Sequence, residues 1–331
     1  MITHFNNSLF PEEMPIELPV IDRQQIAAVL AYSLRDLTID QFVSMMTNKY
    51  AEIIEYADLC DGESACQKTS LLFNPHRLQT RSGDVTPSIY ESLADDSFCS
   101  GLARATLFKK GKVSELLYQV LQLGINGRTW INEFPPAVAR DLCRDFGCTT
   151  DSSVLDPCAG WGGRMIGVSV VADEYVAFEP SIQTHSGLLQ LHQFLSAFRP
   201  EFGATVQNMP YEDSLEREDY YDFALTSPPY FDTERYADED TQSFMRYRTF
   251  SSWDKNFFTP LIHKTMRQLK PSCTFVLNVG SRKWPLNQCI ERECDGLYSV
   301  RKLGNLLSGS GGLGKDGEGE MFYAITKPEF F

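Results

Sequence analysis

The segment Thr226-Ser227-Pro228-Pro229-Tyr230-Phe231 carries the most chemistry in the chain. Two consecutive prolines fix the backbone and remove two N–H donors, so their carbonyls stand out as acceptors. An exocyclic base amine is a poor nucleophile because its lone pair is delocalised into the ring. Accepting its hydrogens with the Ser227 hydroxyl and the Pro228 carbonyl would localise that pair toward an electrophilic methyl group. Tyr230 can stack on a base swung out of its helix. The plainer reading is a Pro-Pro turn with a buried tyrosine. About 70 residues earlier, Asp156-Pro157-Cys158-Ala159-Gly160-Trp161-Gly162-Gly163-Arg164 places three glycines between an apolar run and an amphipathic one. Glycines at a strand-to-helix turn let backbone approach a ligand closely, and the helix N-terminus adds unpaired N–H donors. A tight turn without a ligand is the alternative. Phe178-Glu179-Pro180 ends the next apolar run. An acid there can accept both ribose hydroxyls of an adenosine, or cap the following helix. At Gln207-Asn208-Met209-Pro210 a polar side chain can meet an adenine amino group and an apolar one its face.

These loops need strands to carry them. From about residue 130 short apolar runs alternate with amphipathic stretches: 153–157, 175–180, 204–208, 222–228 and 274–280, with helical patterns at 163–172, 181–197 and 252–270. Strands alternating with crossover helices give an α/β fold, a mostly parallel sheet covered on both faces. Residues 297–304, a Gly-rich turn and 320–327 read as a β-hairpin closing one edge. Before residue 130 the spacing predicts helices over 22–35, 40–58 and 114–123, with a mixed, turn-rich stretch at 61–112.

Composition narrows the class. With 331 residues, 43% of them hydrophobic, the chain can bury a real core, so wholesale disorder is excluded. There is no run of about 18 apolar residues to span a membrane and no secretory signal at the start. The nine cysteines lack disulfide or zinc spacing, no metal set is expected, and a cytoplasmic protein with reduced thiols follows. Net charge is −14 and both halves are acidic, which argues against coating nucleic acid by bulk electrostatics and for a local, gated contact. Much of that acidity lies in 209–241, where Arg217 and Arg235 face eleven carboxylates.

Taken together, DPCAGWGG at 156–163 and SPPY at 227–230 resemble the Gly-rich loop and the catalytic motif of the S-adenosylmethionine-dependent amino DNA methyltransferases, which modify N4 of cytosine or N6 of adenine. A third element of that family, a segment touching the methionine end of the cofactor, resembles Phe134-Pro135-Pro136, though without the usual threonine. The resemblance covers roughly residues 130–327 and implies a class I, Rossmann-like fold with a seven-stranded sheet ending in a β-hairpin. It assigns catalysis to Ser227, Pro228, Pro229 and Tyr230, and S-adenosyl-L-methionine to Phe134, Pro136, Asp156, Cys158, Ala159, Gly160, Trp161, Gly162, Glu179, Pro180, Asn208, Met209 and Ser227. Cys158 tempts comparison with cysteine-dependent C5 methylation, but Pro-Pro-Tyr occupies the place where such enzymes carry Pro-Cys, so Cys158 is read as packing.

The expected organisation is a helical N-terminal domain over 1–128, offered for substrate recognition, and a catalytic domain over 129–331 with an insertion or lid at 231–250. That insertion mixes aromatics with arginines, a mix that can stack bases and pair phosphates; Phe231, Arg246 and Arg248 are its candidate substrate contacts. Lys109-Lys110-Gly111-Lys112, with His76, Arg77 and Arg81, is a second candidate. The expected partner is DNA, and Ser227 in place of aspartate leans toward cytosine N4 over adenine N6. RNA-base or protein-glutamine methylation, transfer of another group in a viral or mobile-element setting, and a silent cofactor-binding regulator are the rivals.

Overall fold

A computed structural model describes residues 20–331 except 36, 63–65, 83–85, 109–110, 126–127, 129–130, 281–282, 307–312, 315–319 and 330–331. Lys109 and Lys110 of the second candidate contact lie outside the described residues.

The apolar runs form one sheet: β1 (Ser153–Asp156), β2 (Glu174–Phe178), β3 (Gly203–Gln207), β4 (Tyr221–Thr226), β5 (Leu269–Val279), β6 (Ser299–Leu306) and β7 (Met321–Thr326). Their order across the sheet is β3-β2-β1-β4-β5-β7-β6, and a two-residue strand, Leu313–Gly314, adds an eighth beyond β6. Neighbours among β1 to β5 run parallel, and β7 enters antiparallel between β5 and β6. This is the Rossmann-like sheet with a closing hairpin that the sequence predicts. β1 is buried along its whole length, as a central parallel strand covered on both faces must be, whereas the edge strand β3 buries only Val206. Strand order reverses between β1 and β4, so a crevice opens above their carboxyl ends. The Gly loop leaves β1 and the Ser-Pro-Pro-Tyr loop leaves β4. Topology alone therefore brings the two motifs together.

Among the described residues ten longer helices accompany the sheet: α1 (Val20–Leu34), α2 (Ile39–Met46), α3 (Lys49–Asp61), α4 (Asp96–Phe108), α5 (Val113–Leu123), α6 (Pro136–Asp145), α7 (Gly163–Val168), α8 (Ile182–Ser196), α9 (Thr259–Gln268) and α10 (Leu286–Cys294). The single helix expected over 40–58 is two. Asn48 caps α3 by accepting from the Ala51 N–H, and the Thr47 hydroxyl turns inward to the buried Glu52 carboxylate. Both residues bond locally in ways that compete with an unbroken helix. The turn-rich 61–112 stretch contains α4, and α6 and α10 carry no expectation from the sequence.

Two apolar clusters cover the two faces of the sheet, and a third lies wholly within residues 27–121. The helical part is seated against the Gly-loop side. Asn74 Nδ2 donates to the Trp161 carbonyl (2.9 Å), His76 Nε2 meets Thr184 Oγ1 (2.9 Å), and Arg140 Nη1 donates to the Leu59 carbonyl (2.8 Å).

Candidate active site

The Gly loop is shaped by contacts that no other residue type permits. Gly160 and Gly162 have φ of +57° and +100°, in the left-handed region. A Cβ on Gly162 would lie 2.4 Å from Leu191 Cδ2 of α8, and one on Gly163 would lie 2.1 Å from the Phe134 carbonyl oxygen. The second contact shows that the Phe134-Pro135-Pro136 segment packs backbone-to-backbone on the start of α7. Phe134 is buried against Phe322 and beneath the Arg164 guanidinium, and Pro136 opens α6. Glu133, which sequence reasoning passed over, accepts from the Gly163 N–H (2.9 Å) and pairs with the fully buried Arg77 (2.9 Å).

Asp156 corrects an expectation. It is fully buried, and its carboxylate accepts from Arg164 Nε, the Tyr175 hydroxyl and the Thr226 hydroxyl, each at 2.7 Å. Its oxygens are committed inside the protein, so it holds the loop and does not face a ligand. The Thr226 hydroxyl also accepts from the Cys158 N–H (3.1 Å), which ties the root of the Ser-Pro-Pro-Tyr loop to the Gly loop. Thr226→Val, nearly isosteric, removes both bonds but leaves the Cys158 N–H on Asp156 Oδ1 (3.2 Å), and is expected to cost about 1 kcal/mol in urea unfolding. An unchanged midpoint would mean that the tie carries no energy.

Burial pushes the Cys158 thiol well above its ordinary range, with the Asp156 charge adding to it. A protonated thiol is no nucleophile, consistent with a packing role. The Ala159 N–H donates to the Phe178 carbonyl (2.9 Å), joining the loop to the end of β2. There Glu179 accepts from the backbone N–H groups of Ser181 (2.8 Å) and Gly160. Desolvation pushes its carboxyl up to about 8 against the pull of those donors, and the Glu239 charge raises it further. Asn208 Nδ2 donates to the carbonyls of Glu179 (2.9 Å) and Pro180 (3.2 Å), while Met209 packs half-buried beside them.

On the β4 side, Ser227 is half-buried, Pro228 is buried and Pro229 is half-buried. The Ser227 hydroxyl lies 3.2 Å from the Tyr230 hydroxyl, and both reach Asn278 Oδ1 at the end of β5, at 3.1 and 3.2 Å. Tyr230 is only 4% exposed, its hydroxyl turned inward. Phe231 has φ of +56°, which swings its ring away from the crevice into a cluster with Phe250, Trp253 and Trp284. It is a core residue, not a substrate contact.

The insertion is a strap tied down at several points. Arg235 and Glu234 pair with Arg81 and Ser82 in a two-stranded ribbon to the helical part. Tyr236 packs on Trp161 (5.3 Å between rings), and Glu239 accepts from the Ser181 hydroxyl (3.0 Å) at the start of α8. Arg246 donates to Asp213 (2.9 and 3.0 Å) and Glu212 (2.8 Å), so its charge is compensated within the strap. Arg248 is exposed, its Nη1 3.7 Å from Met245 Sδ. Between strap, α8 and the 76–91 segment lies a groove of about 470 Å³, lined in part by His76, Arg81, Tyr90, Gln183 and Tyr236.

No family model matches the chain, and no curated protein matches it in sequence. Solved structures similar to it include the tRNA (m1A58) methyltransferase TrmI from Aquifex aeolicus, at 10% identity over 59% of this chain and 70% of that one, with a TM-score of 0.41. An rRNA methylase from Streptococcus thermophilus is 12% identical over 60% of this chain and 99% of that one, with a TM-score of 0.38. The SAM-dependent O-methyltransferase TM0748 from Thermotoga maritima is 12% identical over 61% and 68%, with a TM-score of 0.38.

Proposed function

We propose that the chain transfers a methyl group from S-adenosylmethionine to the exocyclic amine of a DNA base, cytosine N4. The observation that carries this reading is the junction at the strand switch point. A Ser-Pro-Pro-Tyr loop and a glycine loop are rooted in one another through Thr226 and Asp156, and an acid stands at the end of the adjoining strand. The residues fit the cofactor: Gly160 leaves the backbone open to close approach while Gly162 lets α8 pack beneath the loop, Glu179 offers oxygens to a ribose, and Asn208 and Met209 edge the place of an adenine.

When bound, S-adenosylmethionine supplies the electrophilic methyl. The Ser227 hydroxyl and the Pro228 carbonyl accept the amine's hydrogens and turn its lone pair out of the ring. Holding the amine in line supplies most of the acceleration, because a bimolecular step becomes effectively unimolecular. Residues 1–128 are the proposed recognition part, and Arg248, Arg246 and the groove beside the strap are the places proposed to meet the nucleic acid. Serine before Pro-Pro-Tyr favours cytosine over adenine.

The test is transfer from labelled S-adenosylmethionine to unmethylated plasmid DNA, with nucleosides identified by mass spectrometry. N4-methylcytosine is the expected product. Label found only in RNA nucleosides or in glutamine of added protein would redirect the reading. Ser227→Ala should lower kcat more than it raises KM, since the acceptor matters most as charge develops on nitrogen.

A further inference from the structure

Methylating a neutral amine leaves a proton to be removed, and Tyr230 and Glu320, beside Ser227, are arranged to take it. The Ser227 and Tyr230 hydroxyls are 3.2 Å apart, and the Tyr230 hydroxyl bonds the Glu320 carboxylate just before β7. Glu320 is fixed there because Gly280 has no side chain: a Cβ on Gly280 would stand 2.5 Å from Glu320 Cγ. Asn278, fully buried, sets Oδ1 3.1 and 3.2 Å from the two hydroxyls, an acceptor each can turn to when it is not donating along the file, while its Nδ2 has no partner among the described residues. A spare buried donor beside two hydroxyls suits a ligand acceptor such as a base ring nitrogen or carbonyl.

We infer that Ser227, Tyr230 and Glu320 form a hydrogen-bonded file along which the target amine loses its proton, with Glu320 as the final acceptor. The inference rests on the amine-methylation reading. The amine's electron pair forms the N–C bond while the S–C pair stays on sulfur. The cationic nitrogen then breaks one N–H bond and keeps its electrons. The proton goes to the Ser227 oxygen as the Ser227 proton passes to Tyr230 and the Tyr230 proton to the Glu320 carboxylate, which ends as a neutral acid.

The charged and titratable groups around Glu320 support this direction. Desolvation pushes its carboxyl up to about 7, the Glu234 charge on the strap adds to that, and the Tyr230 bond and Arg164 of α7 pull it down. Tyr236 is bonded to Glu234, and burial, foremost, holds its own hydroxyl well above the ordinary range. Burial likewise holds Tyr230 protonated, so it passes a proton only as it receives one.

The test is the single-turnover rate of methyl transfer to plasmid DNA across pH, with S-adenosylmethionine saturating at every pH. The wild-type rate should rise through about pH 7 and level off above it, as the acceptor becomes a carboxylate. Glu320→Gln and Tyr230→Phe, which keeps the ring, should each lower the plateau roughly 10²-fold and remove the rise, with S-adenosylmethionine affinity unchanged. Glu320→Asp should restore part of both rate and rise. A merely structural role would lower the melting temperature and leave the pH profile of the folded enzyme as it was. Wild-type rate and profile in Glu320→Gln would overturn the proton route while methylation stood. Absence of transfer by the wild-type enzyme would overturn the methylation reading and the route with it.

Discussion

Glu133→Ala is expected to cost about 3–5 kcal/mol of folding stability, among the largest effects of any single substitution outside the sheet. Its partner Arg77 has no side-chain exposure and Glu133 has 5%, so removing the carboxylate leaves a guanidinium in the interior with its nearest counter-charge gone. The same carboxylate accepts from the Gly163 N–H, so the first turn of α7 loses a cap at the same time. Urea unfolding at neutral pH reads the first effect. Replacing both residues with apolar ones of similar size (Arg77→Met with Glu133→Leu) should recover much of the loss, because the penalty lies in the unpaired charge and not in the absence of the pair. A single-variant cost below about 1 kcal/mol would show that water or another group satisfies Arg77, and that the helical part is not held to the Gly loop by this contact.

The pair also marks the boundary between what the sequence discloses and what it withholds. The strands, the glycine loop and the Ser-Pro-Pro-Tyr loop were legible because their signals are local: apolar runs of strand length, glycines where φ turns positive, and prolines that end a strand. The sheet order then places β1 beside β4 without further information. Glu133 was not legible, since its significance depends on Arg77, which the fold alone brings near. The same holds for Thr226, one residue before a motif that drew all the attention, and for Glu320, at the edge of a Gly-rich turn. Phe231 and Arg246 show the opposite dependence. Their types suit substrate binding, but a positive φ turns one ring inward and the acidic 212–213 segment captures the other's charge. Residue type shows what a side chain can do. Backbone direction and the nearest counter-charge decide whether it is available.

Binding of S-adenosylmethionine should strengthen with pH, by about tenfold per unit up to about pH 8, and level off beyond. The cause is Glu179, whose carboxyl is pushed up to about 8 by desolvation, with the Glu239 and Asp156 charges adding to it. If the ribose hydroxyls donate to a carboxylate, only the ionised fraction binds, and that fraction falls tenfold for each unit below 8. Folding stability runs the other way. A carboxyl whose folded value lies above its ordinary 4.5 contributes stability that is fully present below 4.5 and is lost as pH rises toward 8. Protein stability should therefore decline over the interval in which affinity climbs. Glu179→Gln should flatten the stability decline and lower affinity at high pH by about 1–3 kcal/mol, the worth of a charge-assisted bond. It also carries any titration of the ligand itself, so the difference between the two curves belongs to Glu179. Glu239→Gln should move the levelling-off point to lower pH, because it removes the negative charge that the strap lays beside the ribose acid. Calorimetry from about pH 6 to about pH 9 reads all three proteins. Parallel curves for wild type and Glu179→Gln would return Glu179 to the plainer role of capping α8 through the Ser181 N–H.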